Sequence, residues 1–138
     1  QPGTFDLLRE LCDHGRTALV ETSGEADVSR VDPRVHKIMD LKAPLSGESG
    51  RNRWSNLEHI GSRDELKFVL AGREDYEWMR ATIAEHDLPR RTPNLLASTV
   101  FGKLAARQLV DWVMADKLPV RVQLQMHKYI WDPAAQGV

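Results

Sequence analysis

The chain has 138 residues, 41% of them hydrophobic and 28% charged, with a formal net charge of −1. That length suits one domain with its own core, and the near-neutral charge offers no bulk attraction to nucleic acid or to a membrane surface. No apolar run approaches the roughly 20 residues that span a bilayer, and the single cysteine, Cys12, excludes an internal disulfide framework and favours the cytoplasm.

Taken in order, Thr4 is placed to cap a helix over FDLLRELCDH, in which Phe5, Leu8, Leu11 and Cys12 share a face and Gly15 closes the end. Cys12 on that apolar face is expected to be buried and inert. TALVET (17–22), HKIMDLK (36–42) and ELKFVLA (65–71) read as strands, the second ended by Pro44. A helix is expected from Asp75 to His86, with Trp78, Met79 and Ile83 buried and Leu88-Pro89 as its stop. NLLAS (94–98) is a fourth strand, Leu104 to Leu118 a second long helix, and VRVQLQ (120–125) a fifth strand.

Strands that alternate with helices argue for a parallel sheet built from right-handed crossovers. Five strands are too few for an eight-stranded barrel. The expected fold is therefore α/β, an incomplete (β/α) barrel of about five mainly parallel strands with helices outside. The continuous apolar runs suggest strands buried on both faces. SGESGRNRWSN (46–56) is the one long polar connection, and its Arg51 and Arg53 read equally well as anion ligands or as solvated charges.

Functional groups in such folds gather at the carboxyl ends of strands. There the sequence places Glu21, Ser23 and Gly24, then Asp40 and Lys42, then Ser98 and Thr99, then Gln123, Gln125 and His127. This set suits a polar, multi-hydroxyl ligand. Glu21 can accept from paired ribose-type hydroxyls, Lys42 supplies a compact positive charge, and Gln125 can donate and accept at a heterocycle edge. Each group also has a plain structural reading. ETSG serves as a strand-to-turn transition with Ser23 capping and Gly24 at positive φ, Asp40 and Lys42 as an ion pair, and His127 as a rim histidine. GESGRNR lacks the GK[ST] ending of a phosphate-cradling loop.

The combination of ETSG, DLKAP followed by GE and RNRW, ELKFVLAGREDYEW and VRVQLQMHKYIW…GV resembles the C-terminal two-thirds of the 7-carboxy-7-deazaguanine synthases, from Gln1 to Val138. The resemblance implies a radical S-adenosylmethionine carbon–nitrogen lyase of the queuosine and deazapurine pathway. Such an enzyme contracts the ring of 6-carboxy-5,6,7,8-tetrahydropterin, with loss of ammonia, using S-adenosylmethionine, a [4Fe–4S] cluster and Mg2+. It implies a cytoplasmic homodimer that acts on a small pterin, with no direct nucleic-acid or membrane partner. Carried over by motif, Glu21, Ser23 and Lys42 would hold S-adenosylmethionine, while Gln125, His127 and the Val138 carboxylate would line the pterin pocket. No magnesium ligand or catalytic residue is assigned.

The cluster-binding CxxxCxxC and the GGEP stretch of those enzymes are absent from the sequence. A cluster of this type needs three protein thiolates, which Cys12 cannot supply. The expectation is an N-terminally truncated single domain, inactive alone. The rival expectation is a cysteine-less, non-enzymatic module that keeps a nucleoside or pterin pocket.

Overall fold

The computed structural model describes residues 3–135. Five strands form one open sheet in chain order, β1 (Leu19–Thr22), β2 (His36–Leu41), β3 (Glu65–Leu70), β4 (Leu95–Thr99) and β5 (Arg121–Val122). All four pairings are parallel. The helices are α1 (Thr4–Asp13), α2 (Arg73–Glu85), α3 (Leu88–Arg91), α4 (Ala106–Asp116) and α5 (His127–Ile130). This is the expected α/β architecture, an open sheet consistent with an incomplete barrel.

The two faces of the sheet differ, and the difference follows from strand alternation. Leu41 sits beside Phe68, which sits beside Ala97, and Met39 sits beside Leu66, which sits beside Leu95. These side chains meet Tyr76, Met79, Ile83, Leu88, Leu109 and Val113 in the main core. Removal of each large apolar side chain from water contributes about 1.5–3 kcal/mol. Trp78 packs edge-on to Phe68 and Trp112 tilts against Tyr76; both tryptophans are half buried at the flank of this core, so Trp78 is less enclosed than its spacing predicts. Arg73 lies over the Tyr76 and Trp112 rings, and the Tyr76 hydroxyl donates to Asp116 at 2.6 Å. Burial first, and that hydrogen bond second, push the Tyr76 pKa well above the ordinary phenol value.

The opposite face is only half buried. Residues 36, 38 and 40 of β2 and 65, 67 and 69 of β3 alternate with fully buried neighbours, and only β4 is buried throughout. The expectation of strands buried on both faces is thus corrected. Helices cover one face, while the other lines an open concavity.

Other boundaries shift for local reasons. Gly3 precedes α1 in the left-handed region, so Thr4 is the first helical residue and not the cap. Cys12 is half buried against the small cluster of Leu8, Ala18 and Val35. The fifth strand stops at Val122, although Gln123 N–H still donates to the Ala97 carbonyl at 2.9 Å. Past it, Lys128 and Tyr129 N–H groups donate back to Gln125 and Met126, so a turn satisfies the backbone in place of a ladder. The long connection is folded into three short 3-10 turns, with Asn52 and Asn56 buried. The buried Asp75 ties it to α2, its carboxylate accepting from Leu45 N–H at 2.8 Å and Ala71 N–H at 2.7 Å.

Candidate functional site

Strand register assembles the site on the uncovered face. Glu21 lies beside Ile38, while Asp40, Lys67, Leu96 and Arg121 form one cross-strand row, with Val69 and Ser98 beside each other further along. Glu21, Ser23 and Asp40 line one cavity of this face and Ser98, Gln123, Gln125 and His127 another, because each parallel strand delivers its last residues to the same rim.

The first edge of the site is the turn after β1. Gly24 has φ +78°, and a Cβ there would stand 2.6 Å from the Asp40 carbonyl oxygen. Only glycine suits both conditions. Asn56 fixes the turn by donating to the carbonyls of Gly24 at 3.1 Å and Ala26 at 2.8 Å, and by accepting from Val28 N–H at 3.1 Å. Glu21 and Ser23 project from this turn into a cavity of about 220 Å3 shared with Ile38, Asp40 and Lys67.

Lys42 is turned towards its neighbour on the same stretch of chain. Its Nζ donates to Asp40 at 3.2 Å, and it does not line that cavity. Its backbone N–H and carbonyl are both bonded by the Asn52 amide at 2.9 Å. The structural ion pair is therefore the arrangement observed, and Lys42 reaches the cavity only through Asp40. Arg51 and Arg53 are likewise committed, Arg51 to Glu48 and Glu25, Arg53 to Asp27.

The far edge is built by the segment after β5. Gln123, Gln125 and His127 line a cavity of about 270 Å3 together with Ser98 and, again, Lys67. Gln125 also borders a shallower hollow of about 440 Å3 beside Val69, Phe101 and Lys128. Lys67 thus joins the Glu21 side to the Gln125 side. Val138 lies outside the described residues.

Lys67 is the site residue that sequence reading missed. The signal was present: Leu66, Phe68 and Leu70 face the helices, so alternation sends residue 67 to the concave face. A cavity of about 380 Å3 at the opposite ends of the strands has another character. There Lys37 and Asp64, both almost fully buried, pair at 3.1 Å, and Asp64 also accepts the N–H groups of Lys37 and Gly61. Those charges serve the fold.

No family model matches the chain. Curated relatives do. It is 46% identical to a protein of Chlorobaculum tepidum over 100% of this chain, 38% identical to one of Koribacter versatilis over 96%, and 35% identical to one of Clostridium acetobutylicum over 100%. Each is named 7-carboxy-7-deazaguanine synthase. Along its whole length, this chain is similar to 7-carboxy-7-deazaguanine synthases. The chain spans 64% of the length of these relatives. The similarity agrees with the resemblance carried by ETSG, DLKAP, ELKFVLAGREDYEW and VRVQLQMHKYIW.

Among the described residues no group of three or more His, Cys, Asp or Glu side chains is placed to hold a metal ion. The [4Fe–4S] cluster implied by the sequence resemblance needs three protein thiolates, and Cys12, on α1 against the small apolar cluster, is one thiol. The residues present therefore do not fit that cluster, whereas the groove offers the hydroxyl, carboxylate, amide and ammonium groups that small polar ligands require.

Proposed function

We propose that this chain forms the ligand-facing sheet of a 7-carboxy-7-deazaguanine synthase. That lyase converts 6-carboxy-5,6,7,8-tetrahydropterin into 7-carboxy-7-deazaguanine with loss of ammonia. The observation that supports the reading is the whole-chain similarity to proteins of that name, joined to two cavities that share Lys67, one lined by Glu21 and Ser23 and the other by Gln125 and His127.

In this reading S-adenosylmethionine occupies the Glu21 and Ser23 end. Glu21 is exposed and its side chain forms no hydrogen bond or ion pair with a described residue, which leaves its carboxylate available to paired ribose hydroxyls. The pterin occupies the Gln125 and His127 end, where amide and imidazole groups can read a heterocycle edge. The S-adenosylmethionine and its iron–sulfur partner supply the radical chemistry in such synthases. This chain's residues bind and orient the two small molecules and shield them from water. Magnesium belongs to the reading as well, without a ligand assigned to it in this chain.

The reading also carries a cytoplasmic homodimer. The lone cysteine supports the compartment, and the exposed side chains of Leu124, Met126, Tyr129, Ile130 and Trp131 support self-association. The lone cysteine equally favours a second reading, a binding module that holds a pterin or nucleoside without iron.

The natural full-length protein, purified without oxygen, separates the two. Formation of 7-carboxy-7-deazaguanine with about four irons per chain is the expected result. A natural protein of only 15.7 kDa that binds a pterin, carries no iron and forms no product would overturn the synthase reading in favour of the module.

A further inference from the structure

The row across the concave face leaves one cation without a counter-charge. Asp40 is taken by Lys42, and Glu65 faces Arg121 at 3.8 Å. Lys67 stands between these pairs, half buried, and its side chain forms no ion pair or hydrogen bond with any described residue. It borders both site cavities.

A second, independent feature lies in the same place. Ser98 is 2% exposed, lines the far cavity with Lys67, and its Oγ has no hydrogen-bond partner. It is the buried side-chain polar atom among the described residues left in that condition. Buried hydroxyls are normally satisfied, and an orphan at a ligand cavity signals a partner that arrives with the ligand. A cation and a hydroxyl donor that line one cavity, both unspent, together match one small anion.

We propose that Lys67 and Ser98 form a carboxylate subsite that anchors the carboxyl group of the pterin acid. The inference deepens the synthase reading and rests on it, because it takes the ligand of the Gln125 and His127 cavity to be a pterin. Gln123 and Gln125 lie on the same cavity wall, so a heterocycle read by their amides presents a ring substituent towards Lys67. The carboxylate then completes the charge row and gives Ser98 Oγ its acceptor. The other carboxylate of the reading, on the methionine part of S-adenosylmethionine, would approach Lys67 from the Glu21 side.

The test compares three probes on the natural full-length protein: pterin-6-carboxylate, 6-hydroxymethylpterin and S-adenosylmethionine, each titrated by fluorescence or calorimetry at fixed salt. The expected result is a preference of at least tenfold for the carboxylate over the hydroxymethyl pterin. Lys67→Gln abolishes this preference by weakening the carboxylate pterin at least tenfold more than the hydroxymethyl pterin. Lys67→Arg keeps most of it, and Ser98→Ala reduces it several-fold without lowering thermal stability. Ser98→Ala also keeps the test decisive if Lys67→Gln fails to fold, since its oxygen contributes no bond to the ligand-free fold. Equal binding of the two pterins overturns the inference and leaves the pterin pocket standing. A Lys67→Gln loss confined to S-adenosylmethionine overturns the assignment to the pterin and gives the site to the methionyl carboxylate. Failure to bind either pterin removes the synthase reading and this inference with it.

Discussion

Gly24 is where the geometry of the groove depends most on a single hydrogen atom. Replacing it with alanine adds a Cβ to a residue at φ +78° and sets that carbon 2.6 Å from the Asp40 carbonyl oxygen. The left-handed conformation costs an alanine about 1–2 kcal/mol. The contact adds about 1–3 kcal/mol, because the obstructing atom is backbone of β2 and cannot swing aside as a side chain would. Gly47 is the control, since its φ is +75° and nothing lies within 4 Å of its Cβ position. Gly47→Ala should therefore cost only the conformational part. The assay is urea denaturation of wild type, Gly24→Ala and Gly47→Ala under one set of conditions. The expected order is wild type, then Gly47→Ala, then Gly24→Ala, with the two variants separated by about 1–3 kcal/mol. Equal stability of the two variants would refute the claim that the turn after β1 is pressed against β2.

Two further outcomes test the parts of the fold that carry the groove. Asp64→Ala should cost about 3–5 kcal/mol because it strands the buried Lys37 ammonium and removes the acceptor of the Lys37 and Gly61 N–H groups. Lys37→Met should cost less, since Asp64 keeps those two donors; chemical denaturation of both variants decides, and the reverse order would show that the ammonium is the more important partner. The third concerns acid. Side-chain hydrogen bonds from Arg34, then its backbone N–H, hold the Asp32 carboxyl down at about 2, below its ordinary value. A depressed carboxylate stabilises the folded state above its unfolded pKa and loses that contribution as pH falls through the folded value. Wild type should therefore exceed Asp32→Asn in urea midpoint at pH 7 and at pH 5, and the gap should close as pH falls from about 4 to about 2. A gap that persists at pH 2 would show that the Asp32 charge is not its source.

Much of the architecture was legible before any coordinates, and specific residues show why. The β-branched and apolar runs at 19–22, 36–41, 65–70 and 95–99 fell within a residue or two of the strands read from sequence, because flanking Gly and Pro mark their limits. The helix carrying Trp78, Met79 and Ile83 was set by its apolar spacing. Boundaries failed where local signals competed. VRVQLQ has strand composition, yet only Arg121 and Val122 pair, since the following backbone is satisfied by a turn. The connection at 46–56 looked like an open polar loop because nothing local announces that Asn52 and Asn56 will bond backbone brought in from β2 and from the turn after β1.

The candidate site divides along the same line. Glu21, Ser23, Gln125 and His127 could be placed at one rim because parallel strands bring their carboxyl ends to the same edge, a rule that needs only strand positions. Whether a charge is spent or free is a matter of distance between elements, and sequence does not carry it. Tertiary packing alone decided that Arg51 falls against Glu25 and Arg53 against Asp27, and that Lys67 is left without a carboxylate. Alternation within each strand is local and can be read in the sequence, whereas the register between strands brings groups from distant parts of the chain to within hydrogen-bond reach. The sequence therefore determined which side chains face the concavity, and the packed sheet decided which of them remain available to a ligand.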